Sequence, residues 1–287
     1  MSDSFLTQII LPLVLALIMF GMGLSLTKQD FLELGKEPKA VIVGLFGQLL
    51  LLPILAFGIA TLFGLSQHLA IGIMILAACP GGTSSNIISH LARANLALSV
   101  SLTAVTTLVC VFTTPLIIQF AVNQFDTNPA ESFSLLSTTL GLIFITLLPV
   151  LLGIFLRHKY PTKAINSEPF FRRLATGFLI FMIIAITYKE RANILESFSQ
   201  VLLPAISLNI VAIAIGLLLG LAFKLIKRDC VTLGIEVGVQ NSAMAILIAV
   251  SFLDKPDYAI AAGVYSLAMY LGAGLLIFGA KSFPTNN

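Results

Sequence analysis

Cys79-Pro80-Gly81-Gly82-Thr83-Ser84-Ser85-Asn86 stands inside an almost uncharged stretch of the chain, residues 69–89. Glu236-Val237-Gly238-Val239-Gln240-Asn241-Ser242 stands inside another, residues 231–253. Proline removes a backbone donor and clashes with the preceding turn, and two glycines loosen the backbone that follows. A helix is therefore expected to break at 80–82, with Thr83 or Ser84 capping the restart. Pro-Gly-Gly alone is equally explained by a kinked helix that packs closely through its glycines. The second stretch carries the stronger argument. One glycine does not make a break, but Glu, Gln, Asn and Ser together are costly in hydrocarbon unless they find partners.

The surroundings of both stretches are apolar. Of 287 residues, 58% are hydrophobic and 10% charged, and the mean hydropathy is +1.03. A soluble domain carries about 25% charged residues, so the chain lacks the polar surface a soluble enzyme or nucleic-acid binder needs. Cys79, Cys110 and Cys230 are odd in number and lie in or beside apolar stretches, which gives neither a disulfide framework nor a metal pair. The first apolar run has no basic flank and no Arg-rich leader, so neither a cleavable signal nor a transit peptide is expected. The class is an all-α polytopic membrane protein.

Stretches free of charge and long enough for a bilayer, which needs about 20 residues, cover 4–27, 40–67, 69–89, 94–125, 132–156, 197–223 and 258–280. Residues 174–188 are short, but Arg173 and Lys189 can snorkel outward. Residues 231–253 qualify apart from Glu236. Nine spans, A to I, follow. With the N-terminus outside and the C-terminus cytoplasmic, the inner segments hold 13 of the Lys and Arg residues and the outer ones only Lys189, Arg191 and Lys255, as the positive-inside rule requires. The inner membrane of a cell is the expected location, with no nucleic acid and no obligate protein partner implied.

Spans A and F, B and G, C and H, and D and I lie about 155 to 165 residues apart, a spacing expected of transporter repeats. Five spans separate each pair, so the second copy is inverted; span E has no counterpart, giving a 4+5 inverted repeat. The two candidate breaks fall on the matching spans C and H.

Glu236 is the one carboxylate inside a span, and an intramembrane acid is a functional candidate by default. Around it the sequence offers hard oxygen donors: Gln48 in B, Ser85 and Asn86 after the break in C, Gln240 and Asn241 after the break in H. Ser99, Thr103 and Thr106 in D share one helical face. Hydroxyls bonded back to their own helix carbonyls are the alternative account of that stripe. No span contains histidine, which removes the usual ligands of zinc, copper or iron. A carboxylate with amides, hydroxyls and unwound carbonyls suits an alkali cation; a proton carried by Glu236 is the other option. Two sodium ions sharing Glu236 would leave net charge +1, and helices restarting near Thr83 and Asn241 would aim their positive ends at the crossing, so the site favours an organic anion.

These residues resemble the bile acid:sodium symporter family. The matching positions are Phe20-Gly21-Met22-Gly23-Leu24, Gln48, Cys79 to Asn86, Ala97-Leu98-Ser99-Val100 with Thr103, and Glu236 to Asn241. The resemblance runs in order through essentially the whole chain, which is read as a bacterial homologue of the apical sodium-dependent bile acid transporter. It implies two crossing discontinuous helices in a core domain, residues 37–125 and 197–282, and a panel domain, residues 1–30 and 132–190. It implies one sodium site at Ser85, Asn86, Ser99, Thr103 and Glu236, and a second at Gln48, Glu236, Gln240 and the carbonyls of Val237 and Val239. The organic anion would lie between core and panel, near Thr83 and Asn241, and transport would move one domain against the other.

Two departures stand out. The first helix of ten-span bacterial members is absent, as in nine-span animal relatives. A His-Asn pair in the last helix of bile acid carriers is replaced by Met269 and Tyr270, beside Tyr265. Small carboxylates such as 2-oxo or hydroxy acids are thus expected substrates alongside steroids. The competing functions are a proton-coupled or uncoupled anion carrier on the same fold and an arsenite-type exporter using Cys79. An intramembrane enzyme lacks a nucleophile–base pair, and a channel lacks a charged ring or filter loop.

Overall fold

The computed structural model describes residues 10–126, 134–189 and 191–281. Parts of four expected segments, residues 1–9, 132–133, 190 and 282, lie outside the described residues. Twelve helices can be followed among them. They are α1 Leu11–Ser25, α2 Lys28–Glu33, α3 Pro38–Leu62, α4 Gln67–Ala78, α5 Thr83–Leu91 and α6 Leu96–Phe125. After a gap come α7 Leu135–Lys159, α8 Pro161–Lys189, α9 Arg191–Ala222, α10 Lys227–Gly238, α11 Ser242–Phe252 and α12 Ala259–Lys281.

Five helical stretches are long and apolar enough to cross a membrane: Pro38–Leu62, Leu96–Phe125, Leu135–Lys159, Phe198–Ala222 and Pro256–Gly279. Their outward faces carry stripes such as Phe112, Leu116 and Phe120 on α6 and Leu267, Leu271 and Leu275 on α12, all exposed. Residues four apart share a helix face, so these are continuous apolar strips that lipid, not water, would cover. The shorter apolar helices α1, α4 and α11 do not reach that length. A count of nine spans thus depends on joining α4 to α5 and α10 to α11 across their breaks, and on including α1 and α8.

The interrupted helices occupy the centre. Every residue of α4 from Leu69 to Ala78 is buried, and α10 is buried almost throughout from Asp229 to Gly238. α4 is apolar all round from Leu69 onward, as a helix inside a bundle is, whereas α10 brings buried polar groups, Asp229, Thr232 and Glu236, to the same interior. α9 packs along α10 and α12, and α6 against α4, whereas α1 packs chiefly on α7 and α8. The α1–α7 approach is backbone to backbone: a Cβ on Gly23 would collide with the Val150 carbonyl, and one on Gly153 with the Phe20 carbonyl. Small residues are what permit such close approach between membrane helices.

Three of the described helices widen by one residue in a turn, at Gly47–Leu51 in α3, Ile143–Leu147 in α7 and Ile248–Phe252 at the end of α11. The first two end two residues before a proline, Pro53 and Pro149. Proline cannot donate to the preceding turn and its ring crowds that turn's carbonyl, so the helix relieves the clash by loosening just upstream. In α3 the loosened turn contains Gln48.

Candidate ion-binding site

The chain leaves helical geometry at Cys79, with ψ 157°, and re-enters it after Gly82, with ψ 149°. On the second interrupted helix Val239 has φ −111° and ψ 103°. The two extended segments lie side by side as an antiparallel bridge between Gly81 and Gln240. Gly82 N–H donates to the Val239 carbonyl at 3.1 Å, and Asn241 N–H donates to the Pro80 carbonyl at 3.0 Å. Each break thereby supplies the backbone partners that the other lost, which is how irregular backbone persists at membrane depth.

Both helices restart where expected, but the first opens from a different N-cap residue. α5 opens from Gly82 as its N-cap, with Thr83 as its first residue. Glycine has no side chain to offer, and its amide is already spent across the bridge. α11 opens from Asn241, whose Oδ1 accepts from Met244 N–H at 3.1 Å.

Glu236, 3% exposed, lies at the meeting point. Its Oε1 accepts from Ser99 Oγ, and its Oε2 accepts from Thr103 Oγ1 at 2.9 Å. With the Thr103 proton committed, Ser85 Oγ is the donor in its 3.3 Å contact with Thr103 Oγ1. Ser99 Oγ also lies 2.9 Å from Asn86 Oδ1, and Ser89 Oγ donates to it at 3.1 Å. A hydroxyl has one proton. The Ser99 proton therefore cannot serve Asn86 Oδ1 and the Glu236 carboxylate together. Oxygen outnumbers hydrogen here, around a buried carboxylate whose partners are neutral. Gly81 lets this happen, since a Cβ there would stand 3.0 Å from Glu236 Oε2.

A second cluster adjoins the first. Gln48 Nε2 donates to Gln240 Oε1 at 2.7 Å, and Gln240 Nε2 returns a bond to Gln48 Oε1 at 3.3 Å. The same Gln240 nitrogen reaches the Val237 carbonyl at 2.9 Å and the Glu236 carbonyl at 3.3 Å. Three carbonyl-type oxygens thus converge on one amide nitrogen that has two protons to give.

Of the sequence-derived residues, the structure brings Ser85, Asn86, Ser99, Thr103 and Glu236 into one hydrogen-bonded group. It brings Gln48, Gln240, Glu236 and Val237 into the other, and the Val239 carbonyl into the bridge. Thr106 is buried but donates to the carbonyl of Thr103 at 3.1 Å, the back-bonded arrangement. Thr83 is described by its backbone alone. Asn241 is 9% exposed beside the break, whereas Met269, 2% exposed, belongs to the apolar core and Tyr270, 49% exposed, faces outward. Sequence reasoning passed over Ser89, although it sits four residues from Ser85 on the same face of α5.

The chain's residues 12–197 match the model of the Sodium Bile acid symporter family. It is 32% identical over 274 residues to the uncharacterized sodium-dependent transporter YocS of Bacillus subtilis (strain 168), covering 93% of this chain and 81% of that protein. It is 32% identical over 271 residues to the probable sodium/metabolite cotransporter BASS1, chloroplastic, of Arabidopsis thaliana, covering 94% of this chain and 66% of that one. The ileal sodium/bile acid cotransporter of Homo sapiens is 26% identical over 264 residues, covering 88% of this chain and 72% of its own length. The chain belongs to the sodium bile acid symporter family. Its relatives are named as transporters or cotransporters, not as enzymes.

Proposed function

We propose that this protein is a sodium-coupled symporter that imports an organic anion, with two Na⁺ as coupling ions. The observation that carries the reading is the buried Glu236 carboxylate, surrounded by Ser99, Thr103, Ser85 and Asn86 with fewer protons than acceptors. Removing a carboxylate from water costs several kcal/mol, and neutral hydroxyls return only part of it. A monovalent cation among those oxygens supplies the missing counter-charge. The second ion is held by Gln48, Glu236, Gln240 and the carbonyls of Val237 and Val239, at the cluster where Gln48, Gln240 and the Val237 carbonyl meet.

The anion binds beside the bridge, near Thr83 and Asn241, where α5 and α11 present their positive ends. The exposed Tyr270 is the residue of α12 best able to meet it, and Met269 shapes the wall behind. Names of relatives run from bile acid to metabolite, and the substrate class here spans bile acid-like steroids and small carboxylates. The chain crosses the membrane nine times as an inverted repeat, N-terminus outside. α3 to α6 and α9 to α12 form the core, and α1, α7 and α8 the panel; core and panel move against each other to expose the site alternately.

Purified protein in liposomes tests this reading. An inward Na⁺ gradient should drive accumulation of a labelled organic anion from a panel of bile salts, 2-oxo acids and hydroxy acids, and a K⁺ gradient should not. Accumulation driven equally by a pH gradient without Na⁺ would contradict sodium coupling and favour a proton on Glu236.

A further inference from the structure

Between the Val237 and Val239 carbonyls lies that of Gly238, and it points elsewhere. It accepts from Asn209 Nδ2 of α9 at 2.8 Å and from the Tyr265 hydroxyl of α12 at 2.8 Å. Asn209 Nδ2 also reaches Tyr265 Oη at 3.4 Å. Asn209 and Tyr265 are 1% and 0% exposed. Asn209 Oδ1 is buried with no hydrogen-bond partner among the described residues. It faces Gly272, where a Cβ would collide with it. The amide is thus held with its nitrogen toward Gly238 and its oxygen left as an unsatisfied acceptor.

We propose that Asn209 and Tyr265 are positioning residues for the second cation. The proposal rests on the sodium reading above. Glycine restrains its own ψ least of all residues, and Gly238 is the last helical residue before the break. The peptide planes before and after the one that holds its carbonyl carry the Val237 and Val239 carbonyls. Without an external hold the Gly238 carbonyl could swing toward the ion, and both neighbours would turn with it. Two donors from two different helices fix that carbonyl outward. They keep it out of the ion's donor set and fix the direction of its neighbours. The first break has a comparable tie, Thr114 Oγ1 to the Ala78 carbonyl at 2.6 Å, but no expected ligand carbonyl flanks it.

The test is the Na⁺ concentration that gives half of the sodium-dependent rise in melting temperature, for wild type, Tyr265→Phe, Asn209→Leu and Thr114→Val. Unfolding is followed with a thiol-reactive dye, because Cys79, Cys110 and Cys230 are free and buried. Tyr265→Phe and Asn209→Leu are expected to raise that concentration by about 2- to 10-fold each, the equilibrium worth of one net hydrogen bond. Thr114→Val is expected to lower the melt in choline and leave the Na⁺ midpoint where it was. If one variant does not fold, the other carries the test. Wild type that responds to Na⁺ alongside Tyr265→Phe or Asn209→Leu with an unchanged midpoint overturns the positioning role alone. Wild type without any Na⁺-dependent rise overturns the sodium reading and this proposal with it.

Discussion

Glu236 depends on hydroxyls that come from other helices, and that dependence is measurable one residue at a time. Thr103 Oγ1 donates to the carboxylate and receives Ser85, so Thr103→Val removes one bond and strands another group at nearly constant volume. A destabilisation of about 1–3 kcal/mol is expected, read as a lower melting temperature in Na⁺-free buffer; an unchanged melt would contradict the hydrogen-bond pattern. Most of this hydrogen-bonded group was legible from the sequence because amides and a carboxylate within the spans need partners, although Ser89 and Asn209 were passed over. Thr106 shows the limit. It shares a face with Ser99 and Thr103, and only coordinates distinguish a hydroxyl aimed at a carboxylate from one turned back to its own helix. Asn209 and Tyr265 were illegible for the complementary reason: their partner is a backbone carbonyl, which no side-chain pattern marks.

At the scale of elements, two glycines separate the site from its scaffold. Gly81→Ala puts a methyl 3.0 Å from Glu236 Oε2, so it should weaken the Na⁺ response while most of the fold persists. Gly153→Ala forces α1 and α7 apart at their backbone contact and should cost about 1–3 kcal/mol of stability by overpacking, with the Na⁺ midpoint unchanged. Melting each variant across a Na⁺ series separates the two effects; the same pattern from both would contradict the division of labour between these positions. Pro-Gly-Gly announced the first break directly. The partner of that break could not be read from the sequence, because an antiparallel bridge between residues 81 and 240 depends on two remote segments meeting. Nor was the wide turn at Gly47–Leu51 foreseen, although its cause, Pro53, is in plain view. What one proline does to a helix depends on whether the next helices tolerate a kink or a bulge.

For the molecule as a whole, hydropathy and charge asymmetry carried the reading further than any single helix did. The described helices that pass a length and composition criterion number five; of the nine expected spans two are interrupted by breaks, α1 is short among the described residues, and α8 is not among those that pass. The nine-span arrangement predicts an outcome for fusions at the C-terminus. A cytoplasmic fluorescent reporter there should be bright and a secreted-type phosphatase inactive; an active phosphatase would reverse the orientation and with it the assignment of inner and outer loops.

The most direct measurement is the melting temperature of the purified protein titrated with Na⁺, K⁺ and choline, for wild type and Glu236→Gln. A ligand that binds only the folded state stabilises it by about 2.7 kcal/mol at 100 times its Kd. Wild type should therefore melt progressively higher with Na⁺ but not with K⁺ or choline, and Glu236→Gln should lose that rise. Equal responses to all three cations, or a Na⁺-selective rise that survives Glu236→Gln, would contradict a sodium site built on this carboxylate.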